Sequence, residues 1–172
     1  MNKMSGGSMR YGLVALLSLA SVAAAQSGSA ILHAAEAAKL LPNAVFFSGK
    51  SASTQLRNAA GVHFSDGKYT LAVLVDTSGY STGIQEKYQA YLLSEVPLEL
   101  GHQPLAPGAY GAGFTGGHFV VMDIGADNVL ETASDRDAQM HRPMPLQVLD
   151  GDSPGLYRLC FGRECVSFRR RR

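Results

Sequence analysis

Residues 69–76 read Tyr69-Thr70-Leu71-Ala72-Val73-Leu74-Val75-Asp76, an apolar run with alternating positions. The turn tripeptide Ser65-Asp66-Gly67 comes just before it, and Thr77–Gly83, rich in Gly, Ser and Thr, follows it. A run of this length, rich in branched apolar residues and bounded by turn residues on both sides, predicts a β-strand.

The same pattern recurs on both sides of this strand. Short apolar runs alternate with turn residues at spacings of about 8–12 residues, which is typical of a sandwich or barrel. The short β-rich run Val62–Phe64 leads into the turn at residues 65–67. The predicted strands are Ala44–Phe47, Tyr69–Asp76, Tyr88–Leu100, Ala109–Phe114, His118–Ile124, Val129–Ala133, Leu146–Leu149, Leu156–Phe161 and Glu164–Phe168. Residues 84–93 also fit a helical face, and Pro97 implies an edge or a bulge. The sequence therefore predicts a mainly β domain, an antiparallel β-sandwich or small barrel of about eight or nine strands.

The N-terminal residues 1–25 are typical of a secretory signal peptide. A positively charged start and an apolar run lead to Ala23-Ala24-Ala25, small residues suited to cleavage before Gln26. The apolar run is shorter than the roughly 20 residues that a membrane span needs, and no later stretch is long enough. We therefore expect a secreted or periplasmic protein without a transmembrane span after cleavage.

Three segments make up the rest of the predicted organisation. Residues 26–43 are expected to hold a spacer and a short helix at Ala30–Leu41, with a frayed N-terminus as the alternative. Residues 44–168 form the single β-domain, and residues 169–172 form a basic tail.

The formal net charge of +1 is the sum of unlike parts. Residues 11–168 hold nine basic and fourteen acidic residues, a charge of −5, whereas Arg169, Arg170, Arg171 and Arg172 add +4. Nucleic-acid binding needs a cationic face on the folded body, so nucleic acid is not expected as a partner. The four arginines are candidates for contact with anionic lipid or an envelope polymer, and a solvated tail is the alternative.

The two cysteines, Cys160 and Cys165, flank a predicted hairpin turn. With Gly162-Arg163 as a two-residue type II′ turn, Phe161 faces Glu164 and the cysteines form the next cross-strand pair. Facing Cα atoms in such a pair lie about 4.5 Å apart, at the short end of the disulfide range. We expect a disulfide, which an oxidising compartment would favour; free thiols and a redox pair are the alternatives, and zinc is not expected.

One stretch resembles part of a known enzyme family. Leu74-Val75-Asp76-Thr77-Ser78-Gly79 resembles the catalytic loop of aspartic proteases, in which an apolar strand runs into Asp-Thr-Gly. The resemblance implies a retroviral-type peptidase, a homodimer in which two Asp76 carboxylates share a proton and activate water. Ser78 departs from the family pattern because it separates Thr77 from Gly79. The other interpretation is an Asx or ST turn at the strand end.

Two further groups of side chains are candidates for ligand contacts. Four tyrosines are candidates for lining a ligand groove, with cross-strand packing as the alternative: Tyr80, Tyr88, Tyr91 and Tyr110. Three histidines and two aspartates lie near strand ends or turns: His63, His102, His118, Asp66 and Asp123. No pair of these has a metal-ligand spacing, so no metal or other cofactor is predicted.

Gly111-Ala112-Gly113-Phe114-Thr115-Gly116 matches the glycine pattern of nucleotide-binding loops letter by letter. Those loops open a helix, whereas this stretch lies on a predicted strand and hairpin. We therefore interpret it as β-structure.

Leu105-Ala106-Pro107-Gly108-Ala109-Tyr110 has the pattern L-x-x-G-x-Y around a predicted type II turn. It resembles a hairpin that recurs in uncharacterised secreted bacterial β-domains, and the resemblance implies a β-hairpin without an assigned catalytic residue. The sequence as a whole predicts an exported, non-enzymatic β-domain with a binding or structural role in the cell envelope or outside the cell. The alternative is the aspartic peptidase acting through Asp76.

Overall fold

The computed structural model describes residues 28–171. The predicted leader at residues 1–25 and its cleavage site lie outside the described residues, as does Arg172. The strands are β1 (Ala30–Leu32), β2 (Ala44–Phe47), β3 (Lys50–His63), β4 (Tyr69–Val75), β5 (Ala90–Ser94), β6 (Leu98–Leu100), β7 (Gln103–Leu105), β8 (Gly108–Thr115), β9 (His118–Met122), β10 (Asn128–Ala133), β11 (Asp135–Arg136), β12 (Gln147–Asp150), β13 (Leu156–Phe161) and β14 (Glu164–Arg170). The helices, each of a single turn, are α1 (Ala34–Ala37) and α2 (Thr82–Gln85).

The strands form two antiparallel sheets that pack as a sandwich, which confirms the predicted fold class. One sheet has eight strands in the order β1-β3-β4-β5-β8-β9-β10, with β2 also paired to β3. The other has six strands in the order β12-β13-β14-β6-β7, with β11 also paired to β14. More strands are present than predicted, because β1, β7 and β11 have only two or three residues and show no pattern.

The eight-stranded sheet buries apolar side chains on both faces. In β9, Phe119 and Val121 point into the main core between the sheets, while Val120 and Met122 point to the outer face. Part of that outer face is covered by β2 and by segment 76–89, which together form an outer core. Strands buried on both sides read as continuous apolar runs, as β4 and β9 do.

The predicted helix at Ala30–Leu41 is wrong over its first residues. Residues 30–32 form β1 instead, with Ile31 opposite Val62 on β3. Helix α1 is limited to residues 34–37, and the Glu36 carboxylate accepts the backbone N–H of His33 at 3.0 Å. Pairing with the edge of a sheet outweighs the intrinsic helix preference of this segment, because tertiary contacts override propensity.

The predicted strand Tyr88–Leu100 is divided between the two sheets. Residues 90–94 form β5 in the eight-stranded sheet, and residues 98–100 form β6 in the six-stranded sheet. The chain crosses between them at residues 95–97, where the Ser94 hydroxyl donates to the Val96 carbonyl at 2.8 Å. Pro97, which has no N–H for a ladder, suits the crossover.

Strand β3 was predicted only at its last residues, as a short β-rich run. Its first half is polar and mostly exposed or half-buried; it pairs with β2 and then bulges against β4. The register with β4 shifts between Thr54, which faces Val75, and Ala59, which faces Val73. The bulge interrupts the alternation of side chains, so the sequence pattern does not reveal a strand here.

The segment Leu105–Tyr110 was predicted as a hairpin, and this prediction is wrong. Leu105 ends β7 in the six-stranded sheet, and Gly108 begins β8 in the eight-stranded sheet. Gly108 lacks the positive φ that a type II turn requires. The Tyr110 hydroxyl donates to the Ala106 carbonyl at 2.9 Å and braces this second crossing.

Candidate anion-binding groove

Three of the four candidate tyrosines come together, in the outer core. Tyr80 is buried, and its hydroxyl lies 3.0 Å from the Phe47 carbonyl and 3.2 Å from the Lys50 carbonyl. Tyr88 is completely buried, with its ring centroid 3.9 Å from that of Phe47. Burial raises the pKa of both hydroxyls. Tyr91 packs against the same cluster, so these rings hold the outer core together.

Tyr110 lies apart from the other three tyrosines. It is half-buried against the main core, on the opposite face of the eight-stranded sheet. The four tyrosines therefore do not line one groove: Tyr80, Tyr88 and Tyr91 pack in the outer core, and Tyr110 packs against the main core.

Asp76 lies at the end of β4 with an exposed carboxylate. Its Oδ1 accepts the backbone N–H of Ser78 at 3.0 Å, and its own N–H donates to the Ser53 carbonyl at 2.9 Å. The hydrogen bond from the Ser78 N–H lowers the pKa of Asp76. This arrangement is an Asx turn, whereas a peptidase dyad needs two carboxylates that share a proton. The homodimeric peptidase stays a prediction, and it requires that Asp76→Asn abolish a measured peptidase activity.

The candidate histidines and aspartates occupy separate places. His63 stacks on Tyr69, with ring centroids 4.5 Å apart, and His102 lies in the exposed β6–β7 turn with a φ of 72°. Asp123 accepts backbone N–H groups in the β9–β10 turn, and Asp66 pairs with an arginine. Within residues 28–171, no group of three or more His, Cys, Asp or Glu is arranged to hold a metal ion.

The cysteines face each other in the β13–β14 hairpin, in the predicted register. Gly162 has a φ of 59°, as the first central position of a type II′ turn requires. The sulfur atoms of Cys160 and Cys165 are 2.06 Å apart, at disulfide distance, and their Cα atoms are 4.1 Å apart. Both residues are buried, so the pair links the two strands inside the core.

The prediction that a basic tail begins at Arg169 is wrong. Strand β14 continues to Arg170, beyond the predicted end at Phe168. Arg169 faces Glu99 on β6, and Arg170 faces Leu98. The Arg169 guanidinium also contacts the Glu99 carboxylate at 2.6 Å. Strand pairing and this ion pair hold both residues in the six-stranded sheet.

These arginines line a groove of about 540 Å³ at one end of the sandwich. Phe64 and Ser65 reach it from the eight-stranded sheet, and Tyr157 and Arg169–Arg171 reach it from the six-stranded sheet. Pro97 contributes from the crossover between the sheets. The groove thus combines basic, hydroxyl and apolar side chains where the two sheets meet.

Arg170 spans the groove from one sheet to the other. Its Nη2 lies 2.8 Å from Oδ2 of Asp66, which is in the β3–β4 turn. Its guanidinium carbon lies 5.5 Å from the centroid of the Phe64 ring. The ion pair lowers the pKa of Asp66 and raises that of Arg170. A carboxylate on one side and an aromatic face below fix the orientation of this cation.

Arg171 follows the last strand and is exposed. Its backbone N–H donates to the Pro97 carbonyl at 2.9 Å, which places it at the crossover. The ion pairs within residues 28–171 include Arg169 and Arg170 but not Arg171. A guanidinium carries five N–H donors suited to oxyanions, so Arg171 is available for an anionic ligand.

The sequence singled out the arginines but not the residues that complete the groove. Phe64 and Tyr157 read as ordinary strand residues, and Asp66 reads as a turn residue. Only the pairing of distant strands brings them to Arg170, so no local pattern could reveal the site. The available signal was a run of four arginines directly after an apolar strand.

Comparisons with known proteins identify no relative: no family model, no curated protein and no solved structure matches the chain. Neither of the helices in residues 28–171 has the length and apolar character of a membrane-spanning segment. A functional interpretation of this chain therefore depends on the geometry of its own groove.

Proposed function

We propose that the chain is an exported, non-enzymatic β-sandwich domain that binds an anionic component of the cell envelope or of the space outside the cell. The observation that carries the proposal is the groove lined by Arg169–Arg171. Three consecutive arginines at one rim contrast with the acidic charge of −5 over residues 11–168. Clustered guanidinium groups bind carboxylate and phosphate oxygens, so this rim is suited to an anionic partner.

Two features of the chain, one in its sequence and one in its structure, support export. Residues 1–25 have the pattern of a cleavable leader. A cysteine pair at disulfide distance is compatible with an oxidising compartment, since disulfides persist there and are rare in the cytosol.

The test follows the chain in the cell that produces it. We expect a mature chain that begins at Gln26, is found in the envelope or outside the cell, and has cysteines that resist alkylation until they are reduced. Mass spectrometry with and without alkylation, together with N-terminal sequencing, measures these properties. A chain that remains inside the cell with its leader attached and two reactive thiols would contradict the proposal.

A pair of charge-matched variants tests whether the groove arginines carry the envelope contact. We expect envelope association to weaken in Arg171→Gln and with rising salt, because exposed charges are screened. Arg136→Gln removes the same charge from the β11 surface, where Arg136 pairs with Glu164 at 2.8 Å. Equal association of both variants would separate the binding function from the groove.

A further inference from the structure

We propose that the groove is a phosphate-binding site in which Arg170 and Arg171 hold one phosphate group between them. This inference rests on the proposed function and names the chemical group that is bound. Its sources are a soluble phosphorylated molecule, such as a sugar phosphate, or the headgroup of an anionic phospholipid.

The free donors of the two arginines favour phosphate over a carboxylate. In the described residues, Arg170 uses Nη2 for Asp66, and Arg171 has no ion pair. A carboxylate presents two oxygens in one plane, which a single guanidinium fork satisfies. A phosphate presents oxygens in several directions and carries more charge, so it can accept hydrogen bonds from two guanidinium groups together.

The surroundings strengthen this preference. Ser29 and Ser65 line the same groove and carry hydroxyl donors. Phe64, Pro97 and Tyr157 form apolar walls, and a less polar surrounding strengthens the attraction between charges. The volume of about 540 Å³ exceeds that of a bare phosphate and falls within the range of small-molecule sites. The groove therefore has room for the rest of a molecule that carries the phosphate.

Asp66 competes with the ligand for Arg170. Its carboxylate already occupies one side of the guanidinium and repels an incoming anion. Removal of this charge frees a donor and lowers the repulsion, so Asp66→Asn should bind phosphate several-fold more tightly. A substitution that increases affinity is informative because unfolding cannot cause it.

The experiment titrates inorganic phosphate into the purified chain, as recovered from the producing cell, and follows the backbone and arginine side-chain resonances by NMR. We expect saturable shifts at Ser65, Arg170 and Arg171. Arg171→Gln should weaken the affinity about tenfold, the effect of one charge-assisted hydrogen bond. Arg171 lies beyond the last strand, so its side chain can be replaced without loss of strand pairing. Arg136→Gln and Asp135→Asn are the charge-matched controls and should leave the affinity unchanged.

A second arm uses vesicles of phosphatidylglycerol or of phosphatidylcholine. Sedimentation with phosphatidylglycerol alone, lost in Arg171→Gln, identifies a lipid headgroup as the source. Phosphate binding without vesicle binding identifies a soluble source.

The inference is overturned if phosphate gives no saturable shifts and vesicle binding does not depend on Arg171. An exported chain with that result would leave the proposed function standing. A chain that binds phosphate through Arg171 but is not exported would support the phosphate site and contradict the proposed function.

Discussion

Two neighbouring tyrosines show how the position of a single hydroxyl affects the stability of the fold. The ring centroids of Tyr80 and Tyr88 are 5.4 Å apart. The Tyr80 hydroxyl has two carbonyls within reach, whereas the Tyr88 hydroxyl is buried and has no hydrogen-bond partner within residues 28–171. A buried hydroxyl without a partner costs about 1–3 kcal/mol. The stack of Tyr88 on Phe47 offsets this cost.

The two residues should therefore respond in opposite directions to the same change. Tyr88→Phe should raise the free energy of unfolding by about 1 kcal/mol, because it removes an unpaired hydroxyl. Tyr80→Phe should lower it by about 1 kcal/mol, because it leaves carbonyls without a donor. Urea denaturation with an unchanged m-value measures both. A loss of stability in Tyr88→Phe would mean that its hydroxyl has a partner in solution.

Asp66 predicts a pH dependence at one end of the sandwich. Arg170 holds the folded-state pKa of Asp66 below its ordinary value of 3.8. A lowered carboxyl pKa stabilises the fold above that value, and the stabilisation is lost as the pH falls through the folded-state pKa. Acid denaturation should therefore be less steep in Asp66→Asn than in the unchanged chain. Arg170→Gln should have the same effect, and independent effects of the two substitutions would contradict the pairing.

At the scale of elements, strand β8 explains the glycine pattern. A Cβ on Gly111 would lie 2.4 Å from the Phe47 ring, and one on Gly113 would lie 2.2 Å from the Lys87 carbonyl. The Gln89 side chain pairs with the backbone of Phe114, donating at 2.9 Å and accepting at 3.0 Å. The glycines thus let segment 76–89 lie against the sheet, and the prediction of β-structure is confirmed.

Two glycine substitutions should distinguish the effect of a close backbone contact from the effect of glycine's conformational freedom. Gly113→Ala should destabilise the fold by about 2 kcal/mol or more, because backbone atoms must move. Gly83→Ala lies in α2 with no atom within 4 Å of its new Cβ, and should stabilise by about 0.5–1 kcal/mol. Thermal unfolding measures both, and equal destabilisation would contradict the close approach at Gly113.

Elements set by local sequence could be predicted, and elements set by distant partners could not. The turn and register of the β13–β14 hairpin were predicted to the residue, because Gly162-Arg163 forms the two-residue turn that sets them, although β14 continues two residues further than predicted. The β8–β9 hairpin was likewise predicted from Gly116-Gly117, both of which have positive φ. In contrast, β1 and the first half of β3 are strands only because other strands lie beside them. The groove could not be predicted from the sequence for the same reason, because its lining residues lie far apart along the chain.

At the scale of the whole molecule, the end of the chain is part of the sandwich. Arg169 and Arg170 supply two of the three residue pairs between β14 and β6. Deletion of residues 169–172 should lower the free energy of unfolding by roughly 2–4 kcal/mol, through the loss of the backbone hydrogen bonds to β6. Arg171→Gln should leave stability unchanged. Denaturation of both variants checks this, and a deletion without effect would restore the interpretation of a free tail.

The charge pattern predicted a basic C-terminal end, and the structure shows that part of this charge is paired with carboxylates. Two of the four arginines are neutralised by carboxylates that the sequence places far away, Glu99 and Asp66. A sum of charges along the chain does not include this pairing. The surface that remains for a partner is therefore smaller and more directional than four free charges would give.

The order in which the chain visits its two sheets bears on when it can fold. Strands β1–β5 belong to the first sheet, β6 and β7 to the second, β8–β10 to the first again, and β11–β14 to the second. β6 pairs with its neighbour β7 on one side and with β14 on the other, and all of β7–β13 lies between β6 and β14 along the chain. Contacts of such long sequence separation form slowly. We therefore expect local hairpins such as β8–β9 and β13–β14 to form before the β6–β14 pairing, which completes the second sheet last.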